Sequence, residues 1–226
     1  MSYATLILGE SGTGKTASLR NLDPSRTLLI QPTRKPLPFK PTGWFERKFT
    51  KSGNNGGNIY VTDDPKIIVA VMKKSQADII VVDDWQYILA NMYMARRDEK
   101  SFDKFNAIGG AGFDICQAAS QLDGDKRVYI LAHTTTDEFG NTKIKTLGKL
   151  LDDKIVVEGM FTTVLRTHVV NGQYYFSTQN SGSDTVKSPM GMFETAEIEN
   201  DLAAVDKAIC TYYGVTNGDK TNAVSA

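Results

Sequence analysis

Three glycines, a lysine and a threonine lie close together near the start of the chain. They belong to the stretch Gly9-Glu10-Ser11-Gly12-Thr13-Gly14-Lys15-Thr16, a full match to G-x-x-x-x-G-K-[ST]. An apolar run over residues 3–8 comes before this stretch, and residues 17–20 after it are predicted to be helical. A strand, a glycine-rich loop and a helix in this order are the context in which such a loop binds phosphate. The chain is therefore predicted to bind a nucleoside triphosphate.

Each residue type in this loop has a physical role in binding phosphate. Glycines allow the backbone to curl so that successive N–H groups point at phosphate oxygens. The N-terminus of the following helix adds a partial positive charge. The Lys15 ammonium supplies a full charge to the β- and γ-phosphates, and the Thr16 hydroxyl can ligate Mg²⁺. All eight residues of the loop, 9–16, are candidate nucleotide ligands, and Lys15 is also a candidate catalytic residue.

Two adjacent carboxylates follow the most apolar strand that the sequence predicts. Residues 79–82 read Ile-Ile-Val-Val and lead directly into Asp83 and Asp84, which is typical of a parallel strand buried on both faces. A carboxylate at this end of a parallel sheet faces the phosphate loop, so Asp83 is predicted to hold Mg²⁺, commonly through water. Asp84 is a candidate for orienting or deprotonating the attacking water. The alternative for Asp84 is the N-cap of a helix that begins at Trp85.

A histidine ends another predicted buried strand, over residues 127–133. If this strand lies beside the phosphate-loop strand, the His133 ring is close to the γ-phosphate. It could then sense that phosphate and pass the signal into the following loop, predicted over residues 134–147. The alternative is a histidine that only satisfies hydrogen bonds at a strand end.

One segment combines basic and aromatic residues, although the 26 basic and 26 acidic residues of the whole chain cancel. Between residues 34 and 51, six basic residues and one glutamate give a local charge of +5, and Trp44, Phe45 and Phe49 lie among them. Charges for the backbone and rings for base stacking are what single-strand binding surfaces use. The alternative is a solvated loop whose aromatic residues pin it to the body of the protein.

A second basic stretch follows His133 and contains Lys143, Lys145, Lys149 and Lys154. These lysines could contact nucleic acid, or could reach the γ-phosphate bound to a neighbouring subunit, as an arginine finger does. A solvated face is the alternative.

Composition indicates an ordinary globular protein, with 41% hydrophobic and 23% charged residues among 226. One α/β domain is predicted over residues 1–213, with a flexible tail over 214–226. Cys116 and Cys210 have neither metal-type nor disulfide-type spacing and are predicted to be reduced core thiols. No apolar run is long enough to span a membrane, and the first strand leaves no room for a signal peptide. A cytoplasmic protein without a membrane partner is therefore expected.

Other signals complete an alternation of strands and helices. Strands are predicted at 27–31 and 59–62, and helices begin at Pro65 and Trp85. A helix interrupted by glycines is predicted over 102–122, a hairpin turns at Asn171-Gly172, and a terminal helix is marked by Ile198, Leu202, Val205, Ile209 and Tyr212. The predicted fold class is α/β, with a mainly parallel central sheet flanked by helices and a C-terminal β-hairpin.

This order of parts resembles the RecA recombinase core, from about residue 3 to residue 195. The loop at 9–16 is similar to that of the family, including a glutamate near its start. The stretches at 37–39, 132–133 and 187–193 look like those of compact phage ATPases known as minimal RecA-like single-strand annealing proteins.

The resemblance implies a RecA-like fold that binds ATP, Mg²⁺ and single-stranded DNA and that promotes strand annealing or recombination. It also implies assembly into a ring or filament in the host cytoplasm, with a single-strand binding protein as a further partner. The segments that would face DNA are within 94–112 and 134–149. One position departs from the family, because Gln31 stands where RecA-type enzymes carry a catalytic glutamate at the end of the second strand. Slow hydrolysis, or Asp84 as the base, would follow.

Two other functions are compatible with the same loop. A small-molecule phosphotransferase would need arginines over its second substrate, and the chain offers Arg96, Arg97 and Arg166. A nucleotide-dependent assembly switch with little turnover would suit Gln31. A salt-dependent affinity for single strands would distinguish the recombinase from both, because neutralising phosphates releases counterions.

Overall fold

A mainly parallel β-sheet organises the chain, which a computed structural model describes over residues 1–50, 53–148, 151 and 154–215. The strands are β1 (Tyr3–Gly9), β2 (Thr27–Gln31), β3 (Phe49–Thr50), β4 (Gly53–Asn54), β5 (Ile59–Val61), β6 (Ile79–Asp83), β7 (Arg127–Thr136), β8 (Thr142–Ile144), β9 (Thr163–Val170), β10 (Gln173–Ser177) and β11 (Glu197–Glu199). The α-helices are α1 (Pro65–Lys74), α2 (Trp85–Ala95), α3 (Asp103–Ser120) and α4 (Leu202–Tyr213), and 3₁₀ helices cover Thr16–Asn21 and Val157–Met160.

The strands lie side by side in the order β11-β10-β9-β1-β7-β6-β2-β5. From β9 to β5 every neighbouring pair is parallel. Beyond β9, strands β10 and β11 continue the sheet with antiparallel pairing. Strand β8 pairs antiparallel with the end of β7. Strands β3 and β4 form a separate two-stranded ribbon. The predicted α/β class with a mainly parallel central sheet is confirmed.

Alternating residues of the central strands supply two hydrophobic cores, one on each face of the sheet. Ile80 and Val82 of β6 belong to the core that α1, α2 and α3 cover, whereas Val81 belongs to the opposite core. That second core receives Leu202 and Val205 from α4. All five residues of β6 are buried, as expected for a parallel strand covered on both faces.

The hairpin predicted at Asn171-Gly172 is confirmed. Both turn residues have positive φ, 51° at Asn171 and 77° at Gly172, as a two-residue turn of the I′ type requires. Strand β10 thereby folds back on β9, with Gln173 opposite Val170. The hairpin carries Tyr174 to the same end of the sheet as the glycine-rich loop, because a Cβ at Gly14 would lie 2.9 Å from Tyr174 Cδ1.

Helix α3 is continuous across the glycines that were predicted to interrupt it. Gly112 is required for packing, since a Cβ there would lie 2.8 Å from Trp85 Cζ2. The Trp85 indole N–H donates to the Gly112 carbonyl over 3.2 Å. The close approach of α2 and α3 therefore explains a glycine inside a helix, where it otherwise lowers stability.

The helix predicted over residues 17–20 is confirmed, and it is a 3₁₀ helix. A six-residue 3₁₀ helix, Thr16–Asn21, follows the loop. The backbone of Leu22 is extended, at φ −65° and ψ 143°, and Pro24 disfavours helical geometry at Asp23. The chain therefore leaves the helix after fewer than two α-helical turns, and the helix dipole behind the loop is smaller than that of a full α-helix.

The loop predicted over residues 134–147 is wrong in part. Strand β7 continues past His133 to Thr136, and β8 pairs antiparallel with it, with Thr134 opposite Ile144. The turn at Asp137–Asn141 is closed by hydrogen bonds to the Asp137 carboxylate from the backbone N–H groups of Phe139 and Asn141. Thr142 and Ile144 are buried while Lys143 is exposed, so buried and exposed side chains alternate in β8 as in an ordinary strand. The polar composition of this stretch hid that alternation in the sequence.

Two further boundaries differ from the sequence prediction. Ile198 lies in β11, not in the terminal helix, because Asp201 caps α4 by accepting from the Ala203 N–H over 2.9 Å. The proposed DNA segment 94–112 is mostly helical, and only residues 96–102 connect α2 to α3. Helix α4 ends at Tyr213, because Gly214 adopts the left-handed conformation at φ 68°. Residues 216–226 of the predicted tail lie outside the described residues.

A buried polar cluster joins α4 to the centre of the sheet. The Asp206 carboxylate accepts from Arg127 Nε over 3.0 Å and from the Tyr129 hydroxyl over 2.6 Å. Burial and the adjacent Asp206 raise the pKa of Tyr129 well above its ordinary value, so the phenol is a donor at neutral pH. The cluster fixes α4 on β7 because its members are buried.

We expect Asp206→Ala to lower the free energy of unfolding by about 3–5 kcal/mol, because it leaves a buried guanidinium without its carboxylate partner. Tyr129→Phe should cost about 1 kcal/mol, the usual net value of one hydrogen bond. Asp114→Ala, at an exposed position of α3, serves as the control and should change stability by no more than about 0.5 kcal/mol. Urea unfolding measures all three, and similar losses for Asp206→Ala and Asp114→Ala would contradict this account.

Candidate functional site

The glycine-rich loop emerges between two strands whose carboxyl ends carry polar side chains. Gly9, the last residue of β1, lies opposite His133 of β7, and Leu8 lies opposite Arg166 of β9. On the other side of β7, Asp83 of β6 lies opposite Leu131. Parallel pairing thus brings the loop, the carboxylates and the histidine to one edge of the sheet, where open α/β sheets bind ligands.

Glycine is needed at two positions of the loop for different reasons. A Cβ at Gly9 would lie 1.9 Å from Thr167 Oγ1, so β9 leaves no space for a side chain. Gly14 has φ 98°, and a Cβ there would meet both Tyr174 and Asn200 within 3.0 Å. The loop is further held by a hydrogen bond of 2.6 Å between the Thr13 and Thr167 hydroxyls.

The Lys15 ammonium lies inside the curve of its own loop. It donates to the carbonyls of Gly9 and Glu10 over 2.8 and 2.9 Å, and His133 Nδ1 is 3.4 Å away. Burial lowers the pKa of Lys15, while the negative charges of Asp84 and Asp83 oppose that shift. Lys15 is therefore a buried cation that faces the strand ends.

Thr16 and Asp83 are in direct contact. The Thr16 hydroxyl lies 3.1 and 3.0 Å from the two oxygens of the Asp83 carboxylate. Asp83 is fully buried, and burial raises the pKa of its carboxyl group, while the positive charge of Lys35 opposes the shift. A hydroxyl and a carboxylate this close can bind the same small cation.

Asp84 has two structural partners, and the peptide bond that joins it to Asp83 is cis. One carboxylate oxygen caps α2 by accepting from the Gln86 N–H over 3.3 Å, so the N-cap interpretation is confirmed. The other oxygen lies 2.7 Å from His133 Nε2. If Nε2 carries the proton, Nδ1 is an acceptor that faces the Lys15 ammonium. Lys15, His133 and Asp84 then form one continuous chain of hydrogen bonds.

These groups open into a cavity of about 640 Å³. Ser11, Gly12, Gly14, Lys15 and Thr16 line it from the loop, and Asp84 and His133 line it from the strand ends. Asp83 is not part of the lining but contacts Thr16, which is. The structure therefore brings together the residues that sequence reasoning selected, except that Gly9, Glu10 and Thr13 do not line the cavity.

Six residues of the cavity lining were not identified from the sequence as part of the site, and three of them, Lys35, Tyr87 and Tyr174, have polar side chains. The Lys35 ammonium, in the segment after β2, lies 3.6 Å from Asp83 Oδ2. Tyr87 packs edge to face with His133 at 6.1 Å between ring centroids, and Tyr174 reaches the cavity from the hairpin. Of these three residues, only Lys35 belongs to a segment that the sequence analysis singled out, the basic segment. Composition alone does not say which of the six basic residues there turns toward the site.

A second cavity, of about 570 Å³, adjoins the first and shares Ala17 and Tyr174 with it. Asn200 lines it and is buried, yet neither its amide nitrogen nor its amide oxygen has a hydrogen-bond partner among the described residues. Arg20 forms part of the wall and donates to the Asn200 carbonyl. A buried amide with both polar atoms unpaired is costly unless a ligand or water satisfies it.

The basic and aromatic segment divides into inward and outward residues. Trp44 is buried in the second core and packs against Phe39, as the pinned-loop alternative predicted. Phe45 and Phe49 remain exposed, Phe49 by 64%. Lys51 lies outside the described residues, so the structure describes five of the six basic residues of this segment.

The lysines after His133 are only partly described. Lys143 and Lys145 are exposed on and just after β8. Lys154 is also exposed, whereas Lys149 lies outside the described residues. Hydrogen bonds from Asn141 lower the pKa of Asp137 in the turn between β7 and β8, and of these lysines Lys143 is close enough for its charge to lower that pKa further.

Comparisons with known proteins add no assignment: no protein-family model matches the chain, and no curated protein matches it significantly. Among the residues that the structure describes, no group of three or more His, Cys, Asp or Glu side chains could hold a metal ion by itself. The described helices include none that is both long enough and apolar enough to cross a membrane.

We expect Gly9→Ala to lower the free energy of unfolding by about 1–3 kcal/mol, because the new methyl group overlaps Thr167 Oγ1 in a packed interface. Thr167→Ala removes the overlapping hydroxyl and should by itself cost about 1–3 kcal/mol, because its hydrogen bonds to the Thr13 hydroxyl and to the Leu8 carbonyl are both lost. The double variant should be less destabilised than the sum of the single variants, since the two residues are in contact. Denaturant unfolding of the three variants tests this, and strict additivity would contradict it.

Proposed function

We propose that the chain is a RecA-like ATPase that binds ATP with Mg²⁺, binds single-stranded DNA, and promotes strand annealing or recombination. The observation that carries the ATP-binding part is the convergence of Lys15, Thr16 and Asp83 at one edge of a parallel sheet. Lys15 faces the cavity floor from a glycine-rich loop, and Thr16 contacts Asp83 at hydrogen-bond distance. This combination of a loop cation, a hydroxyl and a strand-end carboxylate is what triphosphate and metal binding require.

The loop would bind the phosphates through backbone N–H groups and the Lys15 ammonium. Lys15 donates at present to two carbonyls of its own loop, and a phosphate oxygen is a stronger acceptor because the hydrogen bond is assisted by charge. The ammonium therefore needs only a small reorientation to reach the β- and γ-phosphates.

The residues present fit a magnesium ion bound together with the nucleotide. Mg²⁺ usually takes one or two protein ligands and completes its shell with water and substrate phosphates. Thr16 and Asp83 would hold it, and a cluster of three acidic residues is not needed. When bound, the ion would neutralise charge that develops on the phosphates.

Water activation is the weakest part of the site. Asp84 already accepts hydrogen bonds from the α2 backbone and is in contact with His133, although a carboxylate has further acceptor positions for a water. Gln31, which lies one residue beyond the Ile30–Val82 pair of β2 and β6, is an amide and cannot take up a proton. We therefore propose slow hydrolysis with Asp84 as the base and His133 as the group that orients it.

The contacts of His133 favour a second candidate function, a nucleotide-dependent switch with little turnover. His133 contacts both Lys15 and Asp84 and begins the β7 extension that pairs with β8. A change at the γ-phosphate would then reach the β7–β8 extension directly. The phosphotransferase has less support, because Arg96 pairs with Glu99 and the described cavity lining includes none of the three candidate arginines.

The nucleoside would occupy the second cavity, next to the loop. Ala17 directly follows Thr16, and Tyr174 separates the two cavities while contributing to both. An aromatic ring suits stacking with a base, and the Asn200 side-chain amide offers it a donor group, the NH₂, and an acceptor, the oxygen.

The nucleic-acid part of the proposal has two supports of different kinds. Phe45 and Phe49 are exposed in a basic segment, and Lys143 and Lys145 are exposed beside β7. Assembly into a ring or filament, a phage origin, the host cytoplasm and a single-strand binding protein partner are proposed from the resemblance to RecA-like annealing proteins alone.

The test is steady-state ATP hydrolysis with and without single-stranded DNA. We expect DNA to stimulate hydrolysis, and Lys15→Ala to reduce it by about 10²-fold or more, the usual effect of removing one charge-stabilising donor. Asp84→Asn should bind ATP and fail to hydrolyse it if Asp84 is the base. Ser25→Ala, whose side chain bonds only to Asp23 on the surface, is the control.

Each alternative outcome has a distinct meaning. ATP binding without any response to DNA would exclude the recombinase and leave the switch. Transfer of phosphate to a nucleoside in the absence of DNA would establish the phosphotransferase. Absence of ATP binding by the folded wild-type protein would overturn the whole proposal.

Mg²⁺-dependent ATP binding should weaken in acid at a higher pH than for an exposed aspartate. Burial raises the pKa of Asp83, so on lowering the pH the carboxyl group takes up a proton early, and a protonated carboxyl does not hold the metal. Titrations of ATP binding against pH, in Mg²⁺ and in EDTA, measure this. Asp83→Asn should remove the difference between the two profiles, and an unchanged difference would assign the titration to another group.

A further inference from the structure

Lys35 is a second lysine that faces the same cavity as Lys15. It follows β2 by four residues, and its ammonium lies 3.6 Å from Asp83 Oδ2. Its neighbours Pro36 and Pro38 also line the cavity. The segment thus lines the same cavity as the phosphate loop and the hairpin residue Tyr174.

The contact between Lys35 and Asp83 is an ion pair without a close hydrogen bond. A charge-assisted N–H···O bond is about 2.7–2.9 Å long, whereas this separation is 3.6 Å. The Lys35 side chain is 38% exposed and the Asp83 side chain 1%. Asp83 is held by Thr16, whereas the Lys35 side chain is partly exposed and has no close hydrogen bond to Asp83.

Charge in the cavity is balanced by pairs of opposite sign. Lys15 and Lys35 provide two positive charges, and Asp83 and Asp84 provide two negative charges. A nucleoside triphosphate adds several negative charges beside the loop, while a metal bound at Asp83 adds positive charge where Lys35 now lies. Both changes favour movement of the Lys35 ammonium from Asp83 toward the phosphates.

We infer that Lys35 is a ligand of the terminal phosphate, paired with Asp83 in this structure and transferred to the γ-phosphate when ATP binds. This inference rests on the proposed function and adds to it a residue that distinguishes ATP from ADP. Lys15 serves the β- and γ-phosphates from the loop, and Lys35 approaches from the segment after β2. The position of the Lys35 side chain therefore depends on which nucleotide is bound.

Three variants separate this role from general electrostatics. Lys35→Ala removes the ammonium, Lys35→Arg keeps the charge, and Lys40→Ala removes an equal charge from an exposed position five residues along the same segment. Calorimetric titration of ATP and of ADP gives the dissociation constants, in Mg²⁺ and in EDTA. Thermal unfolding of each variant verifies that it is folded.

We expect Lys35→Ala to lose about tenfold or more in ATP affinity, the factor that corresponds to one hydrogen bond to a charged group. Its ADP affinity should change by less than about twofold, since ADP has no terminal phosphate at that position. Lys35→Arg should recover most of the ATP affinity, and Lys40→Ala should match the wild type for both nucleotides.

Other outcomes overturn the inference in recognisable ways. Equal losses for ATP and ADP would make Lys35 a general contributor to the local field, and no loss for either would make it a structural partner of Asp83 only. In both cases the wild type would still bind ATP, so the proposed function would survive. A folded wild type that binds neither nucleotide would overturn the proposed function together with this inference.

Discussion

The parallel pairing of β1 with β7 on one side and with β9 on the other determines where every group of the candidate site lies. Gly9 is opposite His133 in this register, and the hydroxyl of Thr167 on β9 fills the space that a side chain at Gly9 would take. A shift of one residue in either pairing would turn these side chains to the other face of the sheet. The loop therefore depends on strands that are distant from it in sequence, and the packing of β9 by itself requires a glycine at position 9.

Electrostatic balance is the second constraint on the site. Two buried carboxylates are tolerated at the end of β6 because Thr16 and Lys35 contact one of them, and the α2 backbone and His133 contact the other. An isolated buried charge would be expensive. Lys15, His133 and Asp84 also contact one another in turn, so a change in the charge or position of one of them affects the others.

Much of the sheet and the grouping of the site residues could be predicted from the sequence. The apolar run at 79–82 and the Asn-Gly turn gave clear local signals, because continuous burial and positive φ each restrict the residue types allowed. The 3₁₀ type of the helix after Thr16 and the β7–β8 extension could not be predicted, since that helix ends through a backbone change at Leu22 and the extension is stabilised by burial of alternate residues in a polar stretch. Lys35 was one of six similar charges, and only tertiary packing identifies which one faces Asp83.

The contacts around Gly14 have a consequence for how the protein is made. The glycine-rich loop is synthesised well before Tyr174 and Asn200, which pack against Gly14. At about 5–20 residues per second, roughly 10–40 s pass between synthesis of the loop and of Asn200. During that interval the loop lacks the side chains that pack against it in the folded protein. A nascent chain, or one shortened before residue 200, would carry the whole glycine-rich motif without the complete packing around its backbone.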